Sequence, residues 1–314
     1  MAGKGGVGKT TVAATLARLA AEEGLRALVV DLQGGDGLAR TFGGPRLDYH
    51  DQQLWPPPGT GGGASGPPAG RVMGRSLTPD LALLEYLDDH GLRRIGRRLS
   101  RTGAADLVAT AAPGIADIVL LGKVRQLEQQ RRADVVVVDA PASGHALTFL
   151  GAPTTLLATV STGPIRTQAE EARALLTDPR RCRVVLVTLA EETPVNETVQ
   201  TAYALDDEVG VDLGPVVVNG LYPVIADLGV DPDEAARSAG VALDPAQAAT
   251  LAAAGELRAA RQGLQGAQVA RLAAELALPQ VHLPLLPVAS IGPDHLGELS
   301  RALADELQAL TPVP

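Results

Sequence analysis

The feature that most constrains this chain is a glycine-rich octapeptide that begins at Gly3 and ends at Thr10. It fits the phosphate-binding pattern G-x-x-x-x-G-K-[ST] at every fixed position. Such a loop joins a buried strand to a helix, and its glycines let backbone N–H groups converge on phosphate oxygens. A glycine-rich turn before a helix is the alternative interpretation, but two of the three lysines in the chain, Lys4 and Lys9, lie in this segment. The pattern therefore predicts nucleotide binding.

The loop also predicts which groups contact the ligand. Lys9 is expected to reach the β- and γ-phosphates, and the Thr10 hydroxyl is expected to be a ligand of Mg²⁺. The helix that starts near Thr10 points the positive end of its dipole at the same anions. The predicted nucleotide contacts in this segment are Gly3, Gly5, Gly6, Val7, Gly8, Lys9, Thr10 and Thr11.

Only Met1 and Ala2 precede the loop, although a phosphate-binding loop of this type follows a strand. Either the true start lies upstream or the first strand is missing, which would leave a gap in the middle of the sheet. We expect the natural chain to begin several residues earlier. Mass spectrometry of the native amino terminus tests this expectation.

Apolar runs alternate with helical stretches along the chain, which predicts an α/β fold with a mainly parallel sheet and helices on both faces. Several of the runs are rich in valine without polar alternation, as is typical of buried parallel strands. The predicted strands are Arg26–Val30, Val135–Val138, Leu156–Val160, Arg183–Leu189, Val216–Val218 and Val281–Leu283. The predicted helices are Thr11–Glu23, Arg166–Leu176, Val195–Glu208, Pro245–Leu276 and Asp294–Leu310.

Two segments interrupt this alternation. Residues 56–70 contain five prolines and six glycines, a composition that predicts a mobile loop. The long helical stretch that follows predicts an inserted helical subdomain over residues 77–131, between a first part of the core at 1–76 and a second part at 132–314. A second possible insert runs from Tyr222 to Ala242.

Composition excludes several classes of protein. The formal net charge of −9 argues against general nucleic-acid binding, for which basic surface supplies most of the affinity. The single cysteine, Cys182, cannot form an intrachain disulfide or a thiolate cluster and is expected to be a buried structural thiol. No secretory signal is present, and no apolar run approaches the roughly 18 residues of a transmembrane segment. We therefore expect a soluble, cytoplasmic protein.

With Lys4 included, the segment Gly3–Thr11 resembles the deviant Walker A motif of the ParA/MinD/ArsA class. That resemblance implies ATP as the nucleotide and an ATP-sandwich dimer in which Lys4 crosses to the phosphates of the partner subunit. There it would neutralise transition-state charge as an arginine finger does. An ordinary surface lysine beside an anion site is the alternative.

A second match narrows the family. The segment Val135–His145 is similar to the switch II region of the arsenite-transporting ATPase family, which includes the ATPase that targets tail-anchored membrane proteins. An apolar strand that ends in an aspartate beside a phosphate-binding loop is a Walker B arrangement. Asp139 would hold Mg²⁺ through water or accept a hydrogen bond from Thr10. His145 could sense the γ-phosphate or only anchor the turn.

The resemblance extends from Gly3 to the C-terminal helix. Val217-Val218-Asn219 resembles the family strand that carries a base-recognising asparagine, and an amide can offer adenine one donor and one acceptor. Leu283–Pro287 resembles the loop that closes over the base, which makes Pro287 a further expected contact. The segments Ala112–Asp117, Leu121–Lys123 and Thr188–Thr198 also resemble family sequence.

The chain departs from the family in switch I. Asp31–Gly37 stands where family members commonly have Asp-Pro-Ala-His. Asp31 occupies the place of the water-orienting aspartate and is the predicted catalytic carboxylate, with a strand-end cap as the alternative. Arsenite binding and a zinc-clasped dimer both need several cysteines, which Cys182 alone cannot supply. The composition and the form of switch I favour an actinobacterial-type relative, which would pair with itself or with a paralogous ATPase.

The leading hypothesis is a Mg²⁺-dependent, ATP-hydrolysing dimeric switch that acts on an unidentified protein or small-molecule client. A nucleotide-binding pseudo-ATPase scaffold in a heterodimer is the second hypothesis. A ParA- or MinD-like surface-organising ATPase is the third. The acidic residues in the terminal helix Asp294–Leu310 speak against its attachment to an anionic membrane.

Overall fold

The computed structural model describes residues 1–56, 70–102, 114–226 and 228–310, with only the backbone at position 143. The loop predicted at residues 56–70 lies almost wholly outside the described residues.

The strands form two mainly parallel sheets, which confirms the predicted fold class. The first sheet has the order β2-β3-β1-β4, in which only β2 runs antiparallel, and the second has the order β5-β6-β7. The strands are β1 (Arg26–Asp31), β2 (Gln52–Trp55), β3 (Arg71–Ser76), β4 (Val135–Asp139), β5 (Val187–Leu189), β6 (Val216–Leu221) and β7 (Gln280–Pro284).

Met1 and Ala2 lie between the two sheets. The Met1 amino group donates to the Val138 carbonyl oxygen at 2.7 Å, on the side of β4. On the other side Ala2 N–H donates to the Val185 carbonyl at 3.0 Å, and Val187 N–H donates to the Ala2 carbonyl at 2.8 Å. Two residues thus hold the position between β4 and β5 from which the chain enters the glycine-rich loop.

Helices cover both faces of the sheets. They are α1 (Lys9–Glu22), α2 (Gly37–Thr41), α3 (Pro79–Asp89), α4 (Arg93–Thr102), α5 (Ile115–Gln129), α6 (Ser143–Thr159), α7 (Pro164–Leu176), α8 (Glu192–Ala204), α9 (Pro232–Ser238), α10 (Pro245–Glu275) and α11 (Pro293–Ala309). A π-helical turn, Leu205–Val209, extends α8. Among the described residues, no helix combines the length and the apolar character that a membrane crossing requires.

The prediction of a strand at Leu156–Val160 is wrong, because these residues lie at the end of helix α6, with Val160 as its C-cap. An unbroken apolar run of this length does not distinguish a buried strand from a buried helix. The buried side chains of α6 include Ala146, Phe149 and Leu156, which follow helical rather than alternating spacing.

Three further elements differ from the sequence-based expectation. The ladder of β5 is shorter than the predicted strand at 183–189, and Val184 and Leu186 make only isolated bridges. Strands β2 and β3 were not predicted, because β3 carries two arginines and a glycine instead of an apolar run. Arg75 of β3 is nevertheless buried, since its guanidinium donates to the Tyr49 carbonyl at 2.6 Å.

Helices α3, α4 and α5 occupy the region predicted to be helical between the first and second parts of the core. Helix α3 begins three residues after β3 ends, and α5 leads to β4. Apolar side chains of α3 and α5, among them Leu83 and Leu120, join the largest buried cluster of the protein. Helices α3 and α5 therefore share a core with the sheet beside the glycine-rich loop, whereas α4 packs against α3. We keep the subdomain boundary at residue 77 as a proposal.

Candidate nucleotide-binding site

Two glycines of the loop are required by its geometry. Gly3 has φ 152°, and a Cβ there would lie 2.2 Å from the Val187 carbonyl oxygen of β5. Gly8, the residue before α1, has φ 89°, and a Cβ there would lie 2.2 Å from Nδ2 of Asn219. Any side chain at either position would collide with its neighbour and also adopt a left-handed conformation. The glycines thus let the loop pass close to β5 and β6.

The charged end of Lys9 lies inside the loop. Its Nζ donates to the Lys4 carbonyl oxygen at 3.0 Å, and the residue is 6% exposed. Burial lowers the pKa of Lys9, while the nearby Asp139 carboxylate raises it. An ammonium group that has lost much of its water gains strongly from an anionic ligand.

Thr10 and Asp139 are joined directly. The Thr10 hydroxyl donates to Oδ2 of Asp139 at 2.6 Å, which links the first turn of α1 to the end of β4. Asp139 is 1% exposed, and burial raises the pKa of its carboxyl group, with the hydrogen bond from Thr10 acting in the opposite direction. Its second oxygen, Oδ1, is buried and has no hydrogen-bond partner among the described residues.

This arrangement fits Mg²⁺. The ion is usually bound through one or two carboxylates, phosphate oxygens and several waters rather than by a complete cage of side chains. The described residues contain no group of three or more His, Cys, Asp or Glu side chains that could hold a metal ion. Thr10 and the unpaired oxygen of Asp139 are the residues that would hold Mg²⁺ together with a nucleotide.

Asp31 lies beside Asp139, because the two residues are register partners on the parallel strands β1 and β4. Asp31 is 3% exposed, and burial raises the pKa of its carboxyl group. Its Oδ1 accepts hydrogen bonds from the backbone N–H groups of Gln33 at 2.8 Å and Gly34 at 3.3 Å. Asp31 thus caps the turn after β1 in this structure, and its role in orienting water stays a prediction.

Lys4 forms an ion pair within its own chain. Its Nζ lies 2.7 Å from Oε1 of Glu197 on α8, and both side chains are 35% exposed. The lysine is therefore accessible at the surface of the loop rather than buried with Lys9. Glu197 fell within the segment that resembles the family, but its contact with Lys4 joins residues far apart in sequence and no local pattern predicted it.

Asn219 lies in the second half of β6, and Pro287 lies three residues beyond the end of the neighbouring strand β7. Asn219 on β6 donates from Nδ2 to the Val7 carbonyl at 2.9 Å, and its amide oxygen accepts no hydrogen bond from the residues that the structure describes. Pro287 is exposed and follows β7, the strand next to β6. Recognition of adenine by these two residues stays a prediction, and a free amide oxygen suits the amino group of that base.

The other predicted contacts occupy the same loop. Gly5 and Gly6 are exposed, Val7 is buried in the cluster under α1, and Thr11 is half-buried in the first turn of α1. The sequence did not single out Gln33, whose Nε2 donates to Oδ2 of Asp139 at 3.1 Å. Its position two residues after the end of β1 could have indicated a place in the site, since parallel strands end at the same edge of the sheet.

Comparison with known proteins agrees with this geometry. Residues 1–308 match the CobQ/CobB/MinD/ParA nucleotide binding domain. The chain belongs to this family. The family is one of phosphate-binding-loop nucleotide-binding domains, and the loop at Gly3–Thr10 is its most recognisable part in this chain.

Relatives within the family are ATPases by name. ATPase BagA of Mycobacterium tuberculosis is 32% identical over 325 residues, which cover 97% of this chain and 91% of that protein. The arsenical pump-driving ATPase of Escherichia coli is 25% identical over 70% of this chain and 39% of its own length. ATPase GET3B of Arabidopsis thaliana is 24% identical over 71% of this chain and 64% of its own length. These matches confirm the resemblance to the arsenite-pump and tail-anchored-protein-targeting ATPases, and the mycobacterial match agrees with an actinobacterial-type relative.

Proposed function

We propose that this protein binds ATP with Mg²⁺, hydrolyses it, and works as a dimeric switch. The observation that carries the proposal is the contact between Thr10 and Asp139, with one Asp139 oxygen left unpaired beside the buried ammonium of Lys9. Thr10 and Asp139 would hold Mg²⁺, which would supply positive charge against the negative charge that develops during hydrolysis. The backbone N–H groups of the loop would hold the phosphates.

Other residues of the protein would bind the nucleotide and orient the attacking water. Lys9 would bind the β- and γ-phosphates, since its ammonium group lies within the loop that surrounds them. Asp31 would orient the attacking water from the neighbouring strand end. Asn219 of β6 and Pro287 after β7 would hold the adenine.

Dimerisation would involve Lys4. Its side chain is 35% exposed, and Glu197 is its one ion-pair partner among the described residues, a partly exposed pair that contributes about 0–1 kcal/mol to stability. Lys4 could therefore leave Glu197 and bind the phosphates in a second subunit at a small cost in free energy. The second subunit would be another copy of this chain or a paralogous ATPase.

Coupling to a client would pass through the start of helix α3. The Leu77 N–H donates to the Asp31 carbonyl oxygen at 2.9 Å, and α3 begins two residues later. Within α3, Glu85 accepts hydrogen bonds from Tyr49 and from Lys123 of α5, each at 2.6 Å. A movement of the turn after β1 would thus be transmitted to α3 and α5, the helices that we propose face the client.

A scaffold that binds nucleotide without turnover is the second candidate. It is favoured by the two backbone N–H groups that already occupy Oδ1 of Asp31, which leave that carboxylate less free to orient water. Such a subunit would complete the interface of an active paralogue.

Turnover by the purified chain separates the two candidates. Phosphate release from ATP is measured with Mg²⁺ for the natural sequence, for Lys9→Ala and for Thr10→Ala. If the protein is a hydrolase, the natural sequence should release phosphate faster than Lys9→Ala does. Thr10→Ala should need a higher Mg²⁺ concentration for the same rate. ATP binding with turnover equal to that of Lys9→Ala would favour the scaffold. Measurable hydrolysis at the same rate in all three chains would mean that ATP is hydrolysed at a different site.

A further inference from the structure

The middle of helix α10 is attached to its own chain by polar side chains. It spans Pro245–Glu275 and begins with a capping box between Asp244 and Gln247. Arg258 and Gln262 each donate to the Pro223 carbonyl oxygen at 2.9 Å. Further along the same side, Gln265 accepts from the Tyr222 N–H at 2.8 Å and donates to the Gly220 carbonyl at 3.2 Å.

The opposite side of α10 carries a regular stripe of two leucines, four alanines and one threonine, whose hydroxyl donates to the Ala246 carbonyl of the same helix. Its members are spaced alternately by four and three residues, and all of them are exposed. We call this set the α10 stripe, and it consists of Ala246, Thr250, Ala253, Leu257, Ala260, Leu264 and Ala267. Leu257 is 63% exposed and Leu264 is 65% exposed. The spacing is that of positions a and d in a heptad repeat, with leucine at two a positions and alanine at d.

The orientation of the middle of this helix is the reverse of the usual arrangement, whereas near its end Val269 and Leu272 pack on the core. A helix on a globular protein turns its apolar side to the core and its polar side to water. Here Gln262 and Gln265 face the chain's own body, while Leu257 and Leu264 face away from it. A continuous exposed apolar stripe of this kind indicates a surface that another helix covers.

The charges beside the stripe identify the partner. Glu256 occupies a g position and Arg261 the e position five residues later, and neither makes an ion pair with any other residue that the structure describes. In a parallel pair of helices, a g residue of one helix meets the e residue of the next heptad on the other. Two copies of α10 side by side would therefore form two symmetric ion pairs between Glu256 and Arg261. An antiparallel pair would set g against g and e against e, so that Glu256 of one copy would not meet Arg261 of the other.

We propose that the α10 stripe pairs, parallel and in register, with the α10 stripe of a second copy of this chain. The alanines at the d positions allow the two backbones to approach closely, and Leu257 and Leu264 fill the contact at the a positions. Three heptads bury less than the roughly 800 Å² per partner of a stable standard interface, so the association is weak when it acts alone. The proposal does not rest on ATP binding, because no residue of the stripe belongs to the nucleotide site.

Disulfide trapping tests the pairing directly. In a Cys182→Ser chain, which has no other cysteine, Leu257→Cys and Ala260→Cys place a thiol at an a and a d position. In-register parallel helices bring each thiol next to its copy, within the 4.4–6.8 Å Cα separation that a disulfide requires. We expect both variants to give disulfide-linked dimers on oxidation, with or without ATP. The exposed Ala259→Cys, on the same helix but outside the stripe, is the control and should stay monomeric. Absence of the link at 257 and 260, or equal linking at 259, would overturn the proposal.

Charge reversal tests whether the partner is a second copy. Glu256→Arg and Arg261→Glu should each weaken self-association, measured by sedimentation velocity at high protein concentration, and the double variant should restore it. Leu257→Glu should abolish self-association, whereas Leu251→Glu, 52% exposed but outside the stripe, should leave it unchanged. The same series in a Lys9→Ala background separates this proposal from the nucleotide-driven dimer. A double variant that stays as weak as the single ones would mean that the partner is not this chain.

Discussion

Asp31 and Asp139 are register partners on the neighbouring parallel strands β1 and β4, so that two buried carboxylates lie side by side at the phosphate-binding loop. Burial raises the pKa of both groups, and the charge of Asp31 adds to the rise at Asp139. Two carboxylates in one buried site disfavour joint ionisation, and a divalent cation offsets that repulsion. The pair therefore destabilises the free protein, and a Mg²⁺ ion bound there would reduce the repulsion.

The first prediction concerns the pH dependence of stability at Asp139. A carboxyl group whose pKa is raised on folding destabilises the fold once it is ionised, and this effect disappears as pH falls toward the ordinary value of about 4. Asp139→Asn should raise the unfolding temperature of the nucleotide-free protein at neutral pH by about 1–2 °C, which corresponds to about 1 kcal/mol for a chain of this length. The advantage should shrink as the pH falls, as measured by thermal denaturation across the pH range.

Asp134→Asn is the control, for which we expect the opposite change in unfolding temperature. Hydrogen bonds from Arg26 lower the pKa of Asp134 to about 2, so its ionised form stabilises the fold above the ordinary aspartate pKa. This variant should lower the unfolding temperature at neutral pH, and the deficit should shrink as the pH falls toward 2. A decrease in both variants at neutral pH would contradict the account of Asp139.

The second prediction separates backbone strain from collision at the loop. Gly24 and Gly8 have φ of 84° and 89°, but only Gly8 faces a neighbour, Nδ2 of Asn219. Gly24→Ala should cost about 1–2 kcal/mol of unfolding free energy in urea, from left-handed strain alone. Gly8→Ala should cost about 1–3 kcal/mol more, because the side chains overlap. Asn219→Ala in the Gly8→Ala chain should recover part of that excess, and no recovery would contradict the collision.

The third prediction concerns the two partners of the exposed ion pair. Lys4→Ala and Glu197→Gln should each change the unfolding free energy by about 1 kcal/mol or less, because both side chains are partly exposed. Turnover of ATP should fall about 100-fold or more in Lys4→Ala, since the lysine would stabilise the transition state in the partner subunit. Glu197→Gln keeps that lysine and should retain turnover. Equal losses in the two variants would assign Lys4 a structural role.

The fourth prediction concerns the network between α3 and α5. Lys123 is 9% exposed and donates to Oε1 of Glu85 at 2.6 Å, while Tyr49 donates to the other oxygen. Lys123→Met should cost about 1–3 kcal/mol, because a half-buried carboxylate is left without its cation. Glu85→Gln in the same chain should recover part of this loss in urea denaturation. A double variant less stable than Lys123→Met would contradict the pairing.

Local spacing predicted the parts of the site that depend on neighbours in sequence. The octapeptide Gly3–Thr10 fixes a loop and a helix start, and the apolar strand before Asp139 fixes where that carboxylate lies. The resemblance to the family placed Asp31 at the same site, and its position as the register partner of Asp139 came from the structure. The mainly parallel α/β fold followed from the valine-rich runs without polar alternation.

Contacts between distant segments were not predictable in this way. The approach of Lys4 to Glu197 depends on how α8 packs beside the loop. Strand β3 was missed because its buried Arg75 is stabilised by the distant Tyr49 carbonyl rather than by apolar neighbours. The run at Leu156–Val160 was misassigned because hydrophobicity alone does not decide between a helix and a strand.

Titration calorimetry of ATP with saturating Mg²⁺ tests the central claim most directly. The account predicts a measurable heat of binding for the natural sequence and an affinity at least about 100-fold weaker for Lys9→Ala, which removes a buried ammonium group from the phosphate site. Without Mg²⁺ the natural sequence should also bind more weakly, and Asp139→Asn should lose that dependence on the metal. Equal heats and affinities for the natural sequence and Lys9→Ala would contradict the claim that Gly3–Thr10 is the nucleotide site.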